Sequence, residues 1–169
     1  ARHEAATPRP DPHKRKHTVN TEQDLTELDE IFVLKKLMPV DQADKFAQVM
    51  KTAGAYFRQT VVEDVIKRTV AAWKGLPYAN GNNPSTAQDN IAWLHYYTPT
   101  EDWLITRRFF DIRDGMVSCK PMFYAAKTNW HKYTDVTYGH YMLNDIRARN
   151  ARLDLYWTPM PVNDALRHI

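Results

Sequence analysis

From residue 21 onward, apolar positions recur at helical spacing, and no long stretch alternates apolar with polar residues as a half-buried strand would. Leu25, Leu28, Ile31 and Phe32 share one face of a first predicted helix, which Pro39 stops. A second helix opens at Asp41, turns Phe46, Val49, Met50 and Ala53 inward and ends at Gly54. A third opens at Thr60, with Val62, Val65, Ile66, Val70 and Trp73 inward and Gly75 closing it. Asn80-Gly81-Asn82-Asn83 reads as a loop. Ser85 with Gln88 forms a capping box leading to Ile91, Trp93 and Leu94. Thr98, with Pro99 at the first helical position, opens a helix that runs to Gly115. Ser118 opens a shorter one through Met122, Phe123, Ala126 and Trp130, and Thr134 the last long one, through Tyr138, Tyr141, Met142 and Ile146. Pro159 and Pro161 end regular structure, and Asn163 caps a terminal turn.

The predicted starts at Thr21, Thr60, Thr98 and Thr134 lie 39, 38 and 36 residues apart. Two of them share a string: Thr60-Val-Val-Glu63-Asp64 and Thr98-Pro-Thr-Glu101-Asp102 are both Thr-x-x-Glu-Asp. In a capping box the threonine hydroxyl accepts from a free N–H of the first turn and the glutamate bonds back. The acidic pair also faces the positive end of the helix dipole. A helix-start signal recurring at this period predicts an all-α fold, a helical-hairpin repeat array of about seven or eight helices. Chance agreement among the starts of an ordinary helical protein is the competing explanation. An array presents a surface for holding another macromolecule more often than a catalytic pocket.

Charge divides the chain. Residues 1–20 hold Arg2, Arg9, Lys14, Arg15 and Lys16 against Glu4 and Asp11, while 21–169 is neutral, with 18 basic and 18 acidic residues. Pro8, Pro10 and Pro12 precede the basic run, so 1–20 reads as an extended basic Pro-rich arm and 21–169 as the helical repeat domain. A neutral body is not that of a general nucleic-acid binder, whose affinity rests on phosphate neutralisation. The basic run of the arm either touches phosphates or is a solvated tail. The single cysteine, Cys119, excludes an internal disulfide, and no Cys/His spacing fits zinc. No apolar run is long enough to span a membrane. The start at Ala1 without methionine suggests a processed or trimmed chain.

The segment Val40-Asp41-Gln42-Ala43-Asp44-Lys45-Phe46-Ala47-Gln48-Val49-Met50-Lys51-Thr52-Ala53-Gly54 resembles the second helix of a pentatricopeptide repeat, and Asp135-Val136-Thr137-Tyr138 resembles the opening of that family's first helix. Within that class the chain is similar to the auxiliary subunits on the catalytic head of euglenozoan mitochondrial ATP synthases. The resemblance implies a non-catalytic subunit in the mitochondrial matrix, docked on the outside of the ATP synthase alpha subunit. Pentatricopeptide proteins commonly bind single-stranded RNA through polar residues early in each first helix. Aligning the threonine starts places Gly139 and His140 opposite Trp103 and Leu104, and Val65 and Ile66, which are mostly large and apolar. An RNA-binding protein or mitoribosomal subunit is the alternative reading.

Candidate chemistry is sparse. Five scattered glycines build no phosphate loop, so no nucleotide cofactor is expected. Glu63-Asp64 and Glu101-Asp102 are accounted for as first-turn acids without catalysis. His95, His131 and His140 fall on separate predicted helices, as packed or surface residues rather than metal ligands or bases. Cys119 follows the predicted cap Ser118, where a thiol pKa can fall, but no base is evident. No catalytic, cofactor or metal residue is assigned. Arg107 and Arg108, then Arg147, Arg149 and Arg152, and in the arm Lys14, Arg15 and Lys16, are the expected partner-binding residues. The rival account of the arginines is intrahelical pairing to acids such as Asp111, Asp145 and Asp154. Tyr96-Tyr97, Phe109-Phe110 and Tyr156-Trp157 cannot all point inward on one helix, so some aromatic surface is left for an interface.

Overall fold

Leu34, Leu37 and Met38 carry the buried face of a helix covering 30–37 (α1), which Pro39 breaks. The computed structural model describes residues 30–77, 90–113, 116–129 and 132–169. After Pro39 the chain forms α2 (Val40–Thr52). A continuous helical stretch follows: a short α3 (Ala55–Phe57), a π-helical turn (Arg58–Val62) and α4 (Glu63–Gly75). Val62, Val65, Ile66 and Val70 are buried, as their spacing requires. The second and third predicted helices are therefore present. Phe32 and Val49, assigned inward, are instead 55% and 42% exposed, Phe32 with the Lys36 ammonium 4.3 Å over its ring.

Beyond α4 the all-α repeat array is overturned. The chain runs as β1 (Ile91–Ala92), β2 (Leu94–Tyr97), β3 (Glu101–Arg113), β4 (Met116–Asn129) and β5 (Lys132–Met142). It then forms α5 (Leu143–Ala148), β6 (Arg152–Leu153), β7 (Met160–Pro161) and α6 (Val162–His168). An antiparallel five-stranded sheet has the order β5-β4-β3-β2-β6, and β1 pairs with β7. The protein is mixed α and β, not a pentatricopeptide-like solenoid. Thr60 opens no helix; it lies inside the π turn, its hydroxyl donating to the Tyr56 carbonyl at 2.8 Å. Thr98 opens a turn between β2 and β3, and Thr134 lies within β5. Thr21 and the arm at 1–20 lie outside the described residues, as do the loop at 80–83 and the Ser85–Gln88 box.

The reason is burial on both faces. On one face Leu94, Tyr96, Trp103, Ile105, Phe123 and Ala125 pack against α1, α2, α4 and α5. On the other, Leu104 and Ala126 pack with Ala92 against Val162 and Ala165 around α6. A strand covered on both sides reads as a continuous apolar run such as Trp103-Leu104-Ile105, not as alternation. A register shift between Ile105 and Arg107 marks a bulge in β3, so Arg107 falls opposite Tyr124 and Arg108 opposite Phe123.

Side-chain hydrogen bonds from Tyr96 and Gln42 help to join the helical layer to the sheet. Tyr96, wholly buried, donates its hydroxyl to the Leu37 carbonyl at 2.9 Å. Gln42 on α2 bonds both backbone groups of Leu153 in edge strand β6: its Nε2 donates to the carbonyl at 2.7 Å and its Oε1 accepts from the N–H at 2.9 Å. One side chain thus stands in for a sixth strand and blocks that edge. Gly75 lets the end of α4 approach Trp93, because a Cβ there would sit 2.5 Å from the indole ring. Asn150 holds φ at 57°, the left-handed residue that ends α5 with its N–H on the Arg147 carbonyl.

Candidate functional site

Because Leu94 and Tyr96 face the helices, the intervening His95 must point to the opposite side of the sheet. There it meets two carboxylates. Asp102 of β3 places Oδ1 2.9 Å from His95 Nε2, and Asp154, just beyond β6, places Oδ2 3.2 Å from Nδ1. Asp154 is positioned by its own backbone: its N–H donates to the His95 carbonyl at 2.9 Å, and its Oδ1 accepts the Tyr156 N–H at 2.9 Å. The Trp157 ring lies 4.7 Å from the imidazole, its indole N–H donating to the Ala92 carbonyl at 2.9 Å, and the Tyr97 ring lies 5.6 Å away.

Ionised carboxylates only accept, so both ring nitrogens of His95 must donate, and only the imidazolium carries two N–H groups. Burial works against the charged ring. The hydrogen bonds and charges of Asp102 and Asp154 outweigh it, and the His95 pKa is raised above 6.5. Burial likewise opposes ionisation of Asp154. The His95 bond, the Tyr156 N–H and the Arg68 charge prevail, so its pKa is lowered. With both nitrogens engaged and Trp157 over the ring, His95 has no lone pair to offer a substrate in this arrangement. In its protonated form it is held between the two carboxylates as a buried cation. Among the described residues no group of three or more His, Cys, Asp or Glu could hold a metal ion. None of their helices is long and apolar enough to cross a membrane.

A second feature lies in the helical layer. Residues 54–60 are all exposed although helical from Ala55 onward, with Tyr56 82% and Phe57 46% accessible and Arg58 beside them. The π turn causes this. The Glu63 N–H bonds the Arg58 carbonyl five residues back, and the wider turn brings Val62, Val65 and Ile66 onto the core while the preceding elbow projects outward. A cleft of about 250 Å³ adjoins it, lined by Ile31, Met50 and Ile66 with Glu30, Arg58, Glu63 and Lys67.

The expected arginine anchors are dispersed. The Arg108 guanidinium lies 5.0 Å from the Trp73 ring, inside the helix–sheet junction, and Arg107 is half-buried on the other face. Arg149 reaches Glu101 at 3.2 Å and Arg152 reaches Asp41 at 3.4 Å. Arg147 lines a cleft with Asp41 and Asp44. Arg147 and Arg152 thus lie by the start of α2, while Arg149 turns to the start of β3. Lys14, Arg15 and Lys16 lie outside the described residues, as does His131. His140 is exposed on β5, its ring 4.7 Å from Phe109 and 5.3 Å from Tyr124.

Sequence reasoning missed the roles of Asp102 and Asp154, because Asp102 had been spent as a helix-dipole acid beside Glu101. Glu101 in fact pairs with Lys127 and Arg149. The usable signal was a polar pair, His95 and Asp102, set in apolar strand-like runs on either side of Thr98-Pro99-Thr100. Comparison with protein-family models, curated proteins and solved structures finds no match.

Proposed function

We propose that this chain is a non-catalytic, protein-binding subunit that docks through the elbow at residues 54–60. The carrying observation is the run of exposed helical residues containing Tyr56, Phe57 and Arg58. Tyrosine and arginine are favoured interface anchors, and a helical segment that buries no stripe on its own domain has a free apolar side to offer. The helical layer 30–77 carries eight Lys/Arg against five Asp/Glu. The partner surface that fits is therefore an apolar groove on a folded protein with an acidic rim. The satisfied, covered state of His95 supports the non-catalytic part of the reading.

The narrower reading, an auxiliary subunit on the mitochondrial ATP synthase alpha subunit, now rests on the resemblance of 40–54 alone, since the repeat architecture joined to it is gone. RNA binding is less favoured: Tyr124, central to the aromatic cluster on the sheet, is buried and offers little stacking face.

The test is site-specific photo-crosslinking from position 56 in native extract, followed by affinity measurement with the captured partner. Tyr56→Ala with Phe57→Ala should weaken binding at least about tenfold, as loss of interface anchors does. Both side chains are exposed, so the fold should stay within about 0.5 kcal/mol of the parent. Unchanged affinity in the double variant, or crosslinks to RNA alone, would refute the proposal.

A further inference from the structure

We propose that the Asp102–His95–Asp154 cluster is a proton-operated latch that holds the C-terminal segment 154–169 on the sheet and loosens it when His95 becomes neutral. The inference is independent of the docking elbow. It follows from counting protons. A neutral imidazole has one N–H, so it can serve only one of two ionised carboxylates; its other nitrogen then turns a lone pair toward the second. The two acids are not equal. The Asp102 side chain is 8% exposed and the Asp154 side chain 28%. The remaining proton therefore stays with Asp102, which water cannot compensate, and Asp154 is the bond given up.

Asp154 is the first residue of the segment that covers this face. Behind it come Trp157 over His95, then Val162 and Ala165 over Leu104 and Ala126. Among the described residues, the charged group outside the cluster that acts on it is Arg68 of α4, which favours ionised Asp154 and donates to the Leu155 carbonyl at 3.3 Å. Tyr97 of β2 contributes its ring beside the imidazole. Arg68 bears on Asp154 through its charge, while its hydrogen bond goes to the Leu155 carbonyl and its ion pair to Asp64. The sign follows from a histidine pKa raised in the folded state. The latch is complete below about pH 6.5, the ordinary histidine value, and is lost as pH rises through the elevated one.

Amide hydrogen exchange across 154–162, corrected for the intrinsic effect of pH, tests this on the whole chain. Between pH 6 and 9 exchange should accelerate about tenfold or more, as local opening does. Asp154→Asn supplies an amide N–H that can donate to neutral Nδ1 in the same shape, so exchange in that variant should lose its pH dependence. Histidine NMR titration of the unsubstituted protein, with His95 assigned by through-bond triple-resonance experiments on that same protein, gives a reading that does not depend on a variant folding. His95 should titrate above the ordinary histidine value of 6.5, with the same midpoint as the exchange. The latch is overturned by pH-independent exchange in the parent, by an unchanged pH response in Asp154→Asn, or by a His95 midpoint at or below 6.5.

Discussion

Replacing Gln42 by alanine removes the side chain that serves as the outer neighbour of β6. Two bonds are lost, at 2.7 and 2.9 Å, and the N–H and carbonyl of Leu153 are left at a partly buried junction between α2 and the sheet. A typical intramolecular hydrogen bond contributes about 1 kcal/mol net, and stranding a buried partner costs more. Water reaches part of this junction and alanine suits a helix, so the expected loss is about 2 kcal/mol. With a urea m-value of about 2 kcal/mol/M for a domain of this size, the midpoint should fall by about 1 M with an unchanged slope. Gln42→Glu is the sharper companion. It keeps the acceptor for the Leu153 N–H but sets a carboxylate oxygen against the Leu153 carbonyl, so at pH 7 it should be less stable than Gln42→Ala. Protonation restores a donor, which raises the folded-state pKa of that glutamate; the deficit should shrink as pH falls through the raised value. A midpoint for Gln42→Ala within about 0.2 M of the parent, or a Gln42→Glu variant no worse than alanine at pH 7, would refute the strand-mimic account.

Gly75→Ala should lose about 1–3 kcal/mol by denaturant unfolding, since the new methyl meets the Trp93 ring at 2.5 Å and the end of α4 must shift. Asn150→Ala should lose about 1 kcal/mol from strain at φ 57°, while Asn150→Gly should be neutral or slightly stabilising in the same assay. Thr128→Val keeps the shape of a 2%-exposed side chain whose hydroxyl has no partner among the described residues. It should leave the melting temperature unchanged or raise it, where a hydroxyl in use would lower it.

The helical half was legible because its helices are one-sided. In α4 and the last residue of the π turn, Val62, Val65, Ile66 and Val70 face the core while Asp64 and Lys67 are exposed, and that contrast repeats at the helical period. The sheet half lacked such contrast. Leu104 faces α6 while Trp103 and Ile105 face the helices, so a window over β3 contains no polar face to define a period. Counting β-branched and aromatic residues instead would have favoured strands for Trp103-Leu104-Ile105-Thr106 and for Tyr138-Gly139-His140-Tyr141. The His95 cluster depends on that assignment. Across a hairpin His95 and Asp102 approach each other, and Asp154 arrives only because β6 returns to the far side of β2, a connection between residues 59 apart that no local pattern encodes.

The shared Thr-x-x-Glu-Asp string shows where local chemistry stops deciding structure. At Thr98 the hydroxyl does accept the N–H of Glu101, three residues on, at 2.9 Å, and that of Thr100 at 3.2 Å. This is the bond expected of a helix N-cap. Yet the Thr98 N–H also donates to the Glu101 carbonyl at 2.8 Å, and the chain turns back as a hairpin. A tight turn and a helix start both leave N–H groups without a main-chain partner, so a threonine can serve either; at Thr60 the hydroxyl does neither and donates back to the Tyr56 carbonyl inside a continuing helix. What separates the two is the next few residues. After Glu63-Asp64 the chain supplies Lys67 and Arg68 as i,i+4 partners on an exposed face, and the helix continues. After Glu101-Asp102 it supplies Trp103-Leu104-Ile105, with no residues to spare for solvent, and all three are buried in a central strand covered on both faces. A recurring cap signal is thus evidence for a repeat only when the residues behind each cap also agree on which face meets water.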